Sequence, residues 1–263
     1  MRWQSALLVG LLVVTAGCSS FSGFGDAPRP QTVTPAPVPE PSMATQAQLD
    51  FPPGINGDGL RRADVLATTH RQALQNRSYT FYEQYRRTTQ TPNGTVTVVR
   101  DEATRVASAE RYLHRLHRQR YRGNETVDDY RQTTFADGRR WYERSDDGNV
   151  TETGGRIRFT QDQFAYEAAF YIEQYAAVPQ SQTQRTQRDG EPFFRVTGSS
   201  GTPPSRETVQ SYDISLLVDA HGVVHRLEVQ YQTEAERVSY SFRYHEFDNT
   251  NVSTPRWVLD DID

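Results

Sequence analysis

The sequence predicts an α+β protein in which a curved antiparallel sheet, an incomplete β-barrel, wraps around a few helices. The C-terminal third contains three consecutive segments that alternate apolar and polar residues and are joined by short turns. This period of two is typical of antiparallel strands with one buried and one solvated face. Two segments with helical periodicity are available to cover the buried face. Residues 51–263 are long enough to form one domain with a sizeable core.

The first 18 residues combine a positive charge, a short apolar run and a cysteine. Arg2 precedes a short apolar run, and small residues then precede Cys18, the single cysteine. The run is too short to span a bilayer, and this order of charge, apolar core and small residues is that of a signal peptide. We predict that residues 1–17 are a lipoprotein signal peptide and that Cys18 carries the lipid. The protein then remains on the extracytoplasmic face of the cell membrane. An ordinary secretory signal with a chance cysteine is the alternative.

Residues 18–50 are predicted to form a disordered tether. This segment contains six prolines spaced by Ser, Thr, Gln and Ala. Such a composition buries too little apolar surface to offset the entropy of ordering the chain. A stalk that lifts the domain from the membrane and a passive leader are both consistent with this pattern.

The domain begins with a predicted helix over residues 61–76, where Leu66, Ala73 and Leu74 follow helical spacing. Aromatic and β-branched residues at 79–82 then begin a predicted strand. A Pro-Asn-Gly turn centred on Asn93 returns the chain.

The next segment, residues 100–122, fits a helix about as well as a strand. We assign most of it to strand, because the flanking segments have the pattern of a meander. Residues 130–135 and 139–144 are predicted to form a hairpin around Asp137-Gly138, a favoured two-residue turn.

A second helix is predicted to begin at Thr160. The sequence Thr160-Gln-Asp-Gln163 has the form of a capping box, and Phe159 and Phe164 occupy the positions of a hydrophobic staple. An apolar stripe follows at helical spacing, and Pro179 ends the run. The C-terminal alternating segments then follow as three strands.

These features together resemble the lipoprotein-carrier group, typified by the bacterial lipoprotein-sorting carrier and the mycobacterial lipid-carrying lipoproteins. The resemblance rests on the order of elements, the aromatic-Ala-Asp-Gly hairpin, the turn at residues 218–223 and the closing segment at 251–255. The chain is also similar to lipoproteins of halophilic archaea, which share the signal, the Phe-Pro-Pro-Gly opening at residue 51 and the absence of lysine. The resemblance covers about residues 51–258. It implies an open half-barrel around helices, with an apolar cavity between them.

Composition disfavours several classes of function. All 29 basic residues are arginine and the formal net charge is −4, and no basic stripe interleaved with aromatics indicates nucleic-acid binding. The sequence has no nucleophile elbow, phosphate loop or dinucleotide fingerprint. We therefore predict that the protein is not an enzyme and uses no cofactor.

The histidines do not indicate a metal site. His114 and His117 would share a face only in a helix, and His221 and His225 flank a turn without an evident third ligand. His70 is predicted to be a core residue. We predict no metal.

Five of the seven asparagines stand in Asn-x-Ser/Thr sequons, many more than chance would supply. The alternative is that threonine-rich loops generate sequons cheaply. We predict that some carry glycans. The five are Asn76, Asn93, Asn124, Asn149 and Asn251.

The predicted function is binding or carriage of an apolar ligand, a lipid in chemical class, by a membrane-anchored glycoprotein. The abundant Tyr and Phe residues suit a cavity wall, since tyrosine has an apolar body and a polar tip. A structural or interaction module of the cell envelope, with a filled core and no ligand, is the alternative. The predicted wall comprises the inward residues of the C-terminal strands and the stripe of the second helix. These residues are Phe164, Tyr171, Tyr175, Tyr212, Ile214, Leu216, Leu227, Val229, Tyr240 and Phe242.

Overall fold

The computed structural model describes residues 51–154, 162–202 and 208–260. Within these residues the helices are α1 (Ala63–Ala73), α2 (Gln163–Ala176) and α3 (Arg256–Leu259). The strands are β1 (Ile55–Asn56), β2 (Gly59–Leu60), β3 (Tyr79–Thr91), β4 (Gly94–Ser108), β5 (Arg111–Arg122), β6 (Glu125–Asp137), β7 (Arg140–Ser145), β8 (Val150–Gly154), β9 (Gln180–Arg188), β10 (Glu191–Ser199), β11 (Ser211–Asp219), β12 (Val224–Gln232) and β13 (Glu236–His245).

Eleven of these strands form one antiparallel sheet in the order β8-β7-β6-β5-β4-β3-β13-β12-β11-β10-β9. The strands β1 and β2 form a separate short hairpin. The strands β8 and β9 stand at opposite edges of the large sheet, so the sheet is open and does not close into a barrel. The fold is therefore α+β, with a curved, unclosed antiparallel sheet and helices packed against it.

The pairing of β3 with β13 joins an N-terminal meander to a C-terminal meander. Tyr85 lies opposite Tyr240 in this pair. The prediction of three C-terminal strands is confirmed. β11 and β13 bury every second residue, and β12 does so from Leu227 to Tyr231, after an irregularity in its pairing with β11. The predicted first helix is also present as α1.

The ambiguous segment 100–122 consists mainly of strand, namely the later part of β4 and all of β5. Its pattern is ambiguous because β5 is covered on both faces. Tyr112 packs with the main core, and Leu113 packs on the opposite side against a second cluster. A strand that meets apolar neighbours on both faces loses the clear alternation of a half-buried strand.

Different elements pack on the two faces of the sheet. We call the face toward α1 and α2 the inner face. On the outer face, Phe135 and Tyr142 form a small core with Val252 and Val258 from the C-terminal segment. The Nε–H of Arg111 donates to the backbone carbonyl of Val252 at 2.9 Å, which fixes this segment across the sheet.

The start of α2 differs from the prediction. The helix begins at Gln163 with Asp162 as its N-cap, and Asp162 Oδ1 accepts from the amides of Phe164 at 3.0 Å and Ala165 at 3.2 Å. Thr160 lies outside the described residues. Aspartate caps a helix as well as threonine does, and Asp162 is also positioned by the Tyr79 hydroxyl, which donates to its carboxylate.

Candidate functional site

Helix α1 is fixed to the sheet through a buried histidine. The amide of Val224 donates to His70 Nδ1 at 3.1 Å, and His70 Nε2 lies 3.3 Å from the Tyr244 hydroxyl. Complete burial lowers the pKa of His70 to about 3. The ring is therefore neutral at physiological pH and serves as a core residue, as the sequence indicated.

Helix α2 crosses the strands on the inner face. At its start, the Phe164 ring lies 5.0 Å from Tyr112 and 5.5 Å from His114, both on β5. At its end, the backbone carbonyl of Tyr175 accepts from the Tyr212 hydroxyl on β11 at 2.7 Å. Helix α2 therefore separates two regions of the inner face. One region is covered by α1 and α2 together, and the other lies on the side of α2 that faces away from α1.

The structure brings all ten predicted wall residues into one apolar cluster between the sheet and the helices. Nine of them are buried, and Tyr171 is partly buried against the cluster. Tyr171 also packs on Tyr240 with 4.5 Å between ring centroids. The side chains thus fill this region by packing on one another, and their role as a ligand cavity stays a prediction.

A buried polar cluster lies under α2, next to these apolar residues. Glu83 on β3 and Glu102 on β4 are register partners. Arg100 contacts both carboxylates, with Nη2 2.6 Å from Glu83 Oε1 and Nε 2.7 Å from Glu102 Oε1. From α2, the hydroxyl of Tyr171 lies 3.4 Å from Arg100 Nη2, and Glu167 is close enough to act on Glu83 electrostatically.

Burial dominates the acid–base properties of this cluster. It raises the pKa of Glu83 to about 8, and the carboxylates of Glu102 and Glu167 act in the same direction while Arg100 opposes them. Burial also lowers the pKa of His114 to about 4, with help from Arg100. Burial therefore favours the protonated form of Glu83, against the opposing effect of Arg100, and the neutral form of His114.

The sequence contains a signal for this cluster that the prediction did not use. Tyr79, Phe81, Glu83 and Tyr85 occupy successive inward positions of β3. A carboxylate in an apolar alternation indicates a buried polar contact, because an unpaired buried charge is costly. Its partners Arg100 and Glu102 could not be assigned while the faces of segment 100–122 were undetermined.

Beyond α2, the inner face continues as a strip of half-buried apolar and aromatic residues, which we call the inner strip. It consists of Tyr85, Val98, Leu116 and Tyr130, which are half-buried and belong to the same face by strand register. Arg100 and Arg118 stand between Tyr85 and Tyr130 in the same register row, so the strip combines apolar and aromatic side chains with two arginines. The Arg118 guanidinium lies 5.2 Å from the Tyr130 ring centroid. The inner strip adjoins the buried cluster where Tyr85 pairs with Tyr240.

The five sequon asparagines are all exposed in the structure. Asn93 and Asn124 lie in the turns that join β3 to β4 and β5 to β6. The other three lie in connecting segments at Asn76, Asn149 and Asn251. Cys18 and the predicted tether lie outside the described residues.

The two histidines of the first pair, His114 and His117, lie on opposite faces of the sheet. His114 faces α2, whereas His117 lies on the outer face within 2.9 Å of Asp129 Oδ1. His225 contacts Asp219 at 2.9 Å. Among the described residues, no group of three or more His, Cys, Asp or Glu side chains could hold a metal ion.

No helix in the described part of the chain combines the length and apolar character needed to cross a membrane.

The chain matches no protein-family model and no curated protein sequence. Several solved structures are similar. LprF of Mycobacterium bovis is 11% identical, covering 76% of this chain and 98% of its own, with a TM-score of 0.39. A LolA-superfamily protein of Nitrosomonas europaea is 9% identical, covering 74% and 99%, with a TM-score of 0.29. A β-barrel-like protein of Brucella abortus is 9% identical, covering 65% and 98%, with a TM-score of 0.24.

Proposed function

We propose that this chain is a membrane-anchored protein of the extracytoplasmic cell surface whose half-barrel binds an apolar ligand, with a lipid as the chemical class. The observation that carries the proposal is the inner strip. It presents partly exposed apolar and aromatic side chains on the helix-facing side of the curved sheet, next to a buried aromatic cluster. Ligand sites are concave, mostly apolar and supplied with a few polar groups.

The inner strip offers a lipid chain a surface that does not require the core to unpack. Tyr85, Val98 and Leu116 lie on three neighbouring strands, which are about 4.8 Å apart. Their arrangement is staggered, because Val98 is opposite Arg87 and Leu116 is opposite Glu102. A chain lying across them would gain about 0.8 kcal/mol for each CH₂ group removed from water. Deeper entry would require α2 to separate from the sheet.

The interface under α2 has features that suit such a separation. The Tyr240 hydroxyl is buried and has no hydrogen-bond partner among the described residues, and Glu83 is held in an environment that raises its pKa. Both groups destabilise the closed arrangement relative to a purely apolar interface. A ligand that carries a hydrogen-bonding group could satisfy the Tyr240 hydroxyl, whereas Glu83 already accepts from Arg100.

The dense packing of the ten predicted wall residues favours the second candidate, a structural module of the cell envelope without a ligand. Extraction of the native, membrane-released protein with organic solvent, followed by mass spectrometry, separates the two candidates. A stoichiometric apolar molecule supports the binding function. Its absence from protein released without detergent favours the structural module.

The anchoring part of the proposal rests on the signal-like sequence before Cys18. Cys18→Ser should move the protein from the membrane fraction to the soluble or secreted fraction and remove the lipid mass. A variant that stays in the membrane fraction with unchanged mass would exclude Cys18 as the anchor.

Glycosylation is proposed at some of the exposed asparagines, first at the hairpin turns. Asn93→Gln and Asn124→Gln should each reduce the intact mass by one glycan in protein isolated from the native cell. Masses that change only by the substitution would exclude glycans at these two sites.

A further inference from the structure

The outer face of the sheet contains a groove that the apolar-binding function does not use. It is a cavity of about 520 Å³ across the strands β12, β13, β3, β4, β5 and β6. Arg243, Tyr82, Ala103 and Arg115 form one register row along its floor. These residues alternate with Glu83, Glu102 and His114, which face the helices, so the row lies on the opposite face.

The row combines a depression with an aromatic wall. Ala103 is the smallest side chain in the row and stands between Tyr82 and Arg115, so the floor is low at this point. Tyr82 is 37% exposed, which is unusual for a large aromatic residue on a sheet face. The guanidinium of Arg243 lies over one face of the Tyr82 ring, 5.1 Å from its centroid, which leaves the other face of the ring for a ligand.

The charges of the groove favour an anion. Among the described residues, no carboxylate lies within ion-pair distance of Arg115 or Arg243, whereas Glu228 in the same groove is paired with Arg226. Asp101 accepts from the side-chain amide of Gln84 at 2.9 Å. Two arginines are therefore available on either side of the depression. Their planar guanidinium groups match carboxylate and phosphate oxygens in pairs.

We propose that this groove binds an oxyanion carried on a ring. The carboxylate or phosphate contacts Arg115 or Arg243, and the flat face of the ring packs on Tyr82 above Ala103. Acidic sugars and aromatic phosphates share this chemistry. This site lies on the other face of the sheet from the inner strip, so its occupation is independent of the apolar ligand.

The test is ligand-observed NMR on the purified full chain with four probes. Glucuronate and phenyl phosphate carry both a ring and an oxyanion, glucose carries only the ring, and inorganic phosphate carries only the oxyanion. We expect saturable binding of glucuronate or phenyl phosphate that is at least about tenfold tighter than binding of glucose or inorganic phosphate, because the charge-assisted hydrogen bonds and the ring contact both contribute. The stronger of the two ring anions identifies the ligand source.

Three variants locate the site. Arg115→Gln removes a cation, and Ala103→Leu fills the depression without a change of charge. Arg105→Gln is the matched control, since Arg105 is exposed on the same face of β4 outside the groove. We expect the first two to weaken binding of the ring anion by about tenfold and the control to leave it unchanged.

Three results would overturn the proposal. The first is a lack of saturable binding by both ring anions. The second is equal binding of phenyl phosphate and inorganic phosphate, which would remove any role for Tyr82. The third is an equal loss in Arg105→Gln, which would show that only the overall charge matters.

Discussion

Glu83 is a buried carboxylate within the otherwise apolar and aromatic inward positions at the start of β3. Its side chain is 1% exposed, and its pKa is raised from 4.5 to about 8. The unfolded chain releases this proton near pH 4.5, whereas the folded protein holds it until about pH 8. Between these values the folded state binds more protons, so its contribution to the unfolding free energy falls as the pH rises.

Glu83→Gln should therefore stabilise the protein at pH 8 by roughly 1–3 kcal/mol and flatten the decline of stability between pH 5 and pH 8. The amide keeps an acceptor for Arg100 but has no charge to bury. Urea denaturation at several pH values measures this. Glu234→Gln, at an exposed position, is the control, and an equal change in both variants would contradict the assignment of the effect to burial.

At the residue scale, alternation in the sequence was sufficient to identify the inward residues of β11, β12 and β13. Tyr212, Ile214 and Leu216 are buried because the strand is covered on one face only. The alternation of β3 also places Glu83 inward, but its partners Arg100 and Glu102 lie on another strand and are separated from it along the chain. No local pattern encodes such a pairing.

At the scale of elements, the start of α2 gives the clearest test. Asp162→Ala should lower the unfolding free energy by about 1–2 kcal/mol, because it removes the cap of two backbone amides and the acceptor of the Tyr79 hydroxyl. Thermal or urea unfolding measures the loss. Asp213→Ala, exposed on β11, is the control and should change stability little. A similarly small change in Asp162→Ala would contradict the role of Asp162 as the cap.

Two elements illustrate what the sequence can and cannot predict. The helix was located correctly by its apolar stripe, but its first residue was not, because Thr160 and Asp162 are both good caps and only tertiary contacts select between them. Segment 100–122 was ambiguous because β5 has apolar neighbours on both faces. The fold class followed from the number of strand patterns and the short turns between them.

At the scale of the molecule, residues 51–263 should fold without the segment that precedes them. All described helices and strands lie within this range, and both core clusters are formed from its residues. A fragment of residues 51–263 should have the same cooperative thermal transition as residues 18–263. A broad or strongly lowered transition would show that the preceding segment packs on the domain.

The central claim is that an apolar ligand binds on the inner face of the half-barrel. Val98 and Val99 are adjacent on β4, both half-buried, and face opposite sides of the sheet. A charge at Val98 would lie in the inner strip, whereas a charge at Val99 would lie on the outer face.

The most direct measurement is titration of the purified protein with the uncharged dye Nile red, with palmitate as competitor, for the parent chain, Val98→Glu and Val99→Glu. We predict saturable binding that palmitate displaces. We further predict that Val98→Glu weakens it by about tenfold, since the charge would be desolvated by the ligand, while Val99→Glu leaves it nearly unchanged. A parent chain that binds neither dye nor palmitate, or an equal loss in the two variants, would contradict the claim.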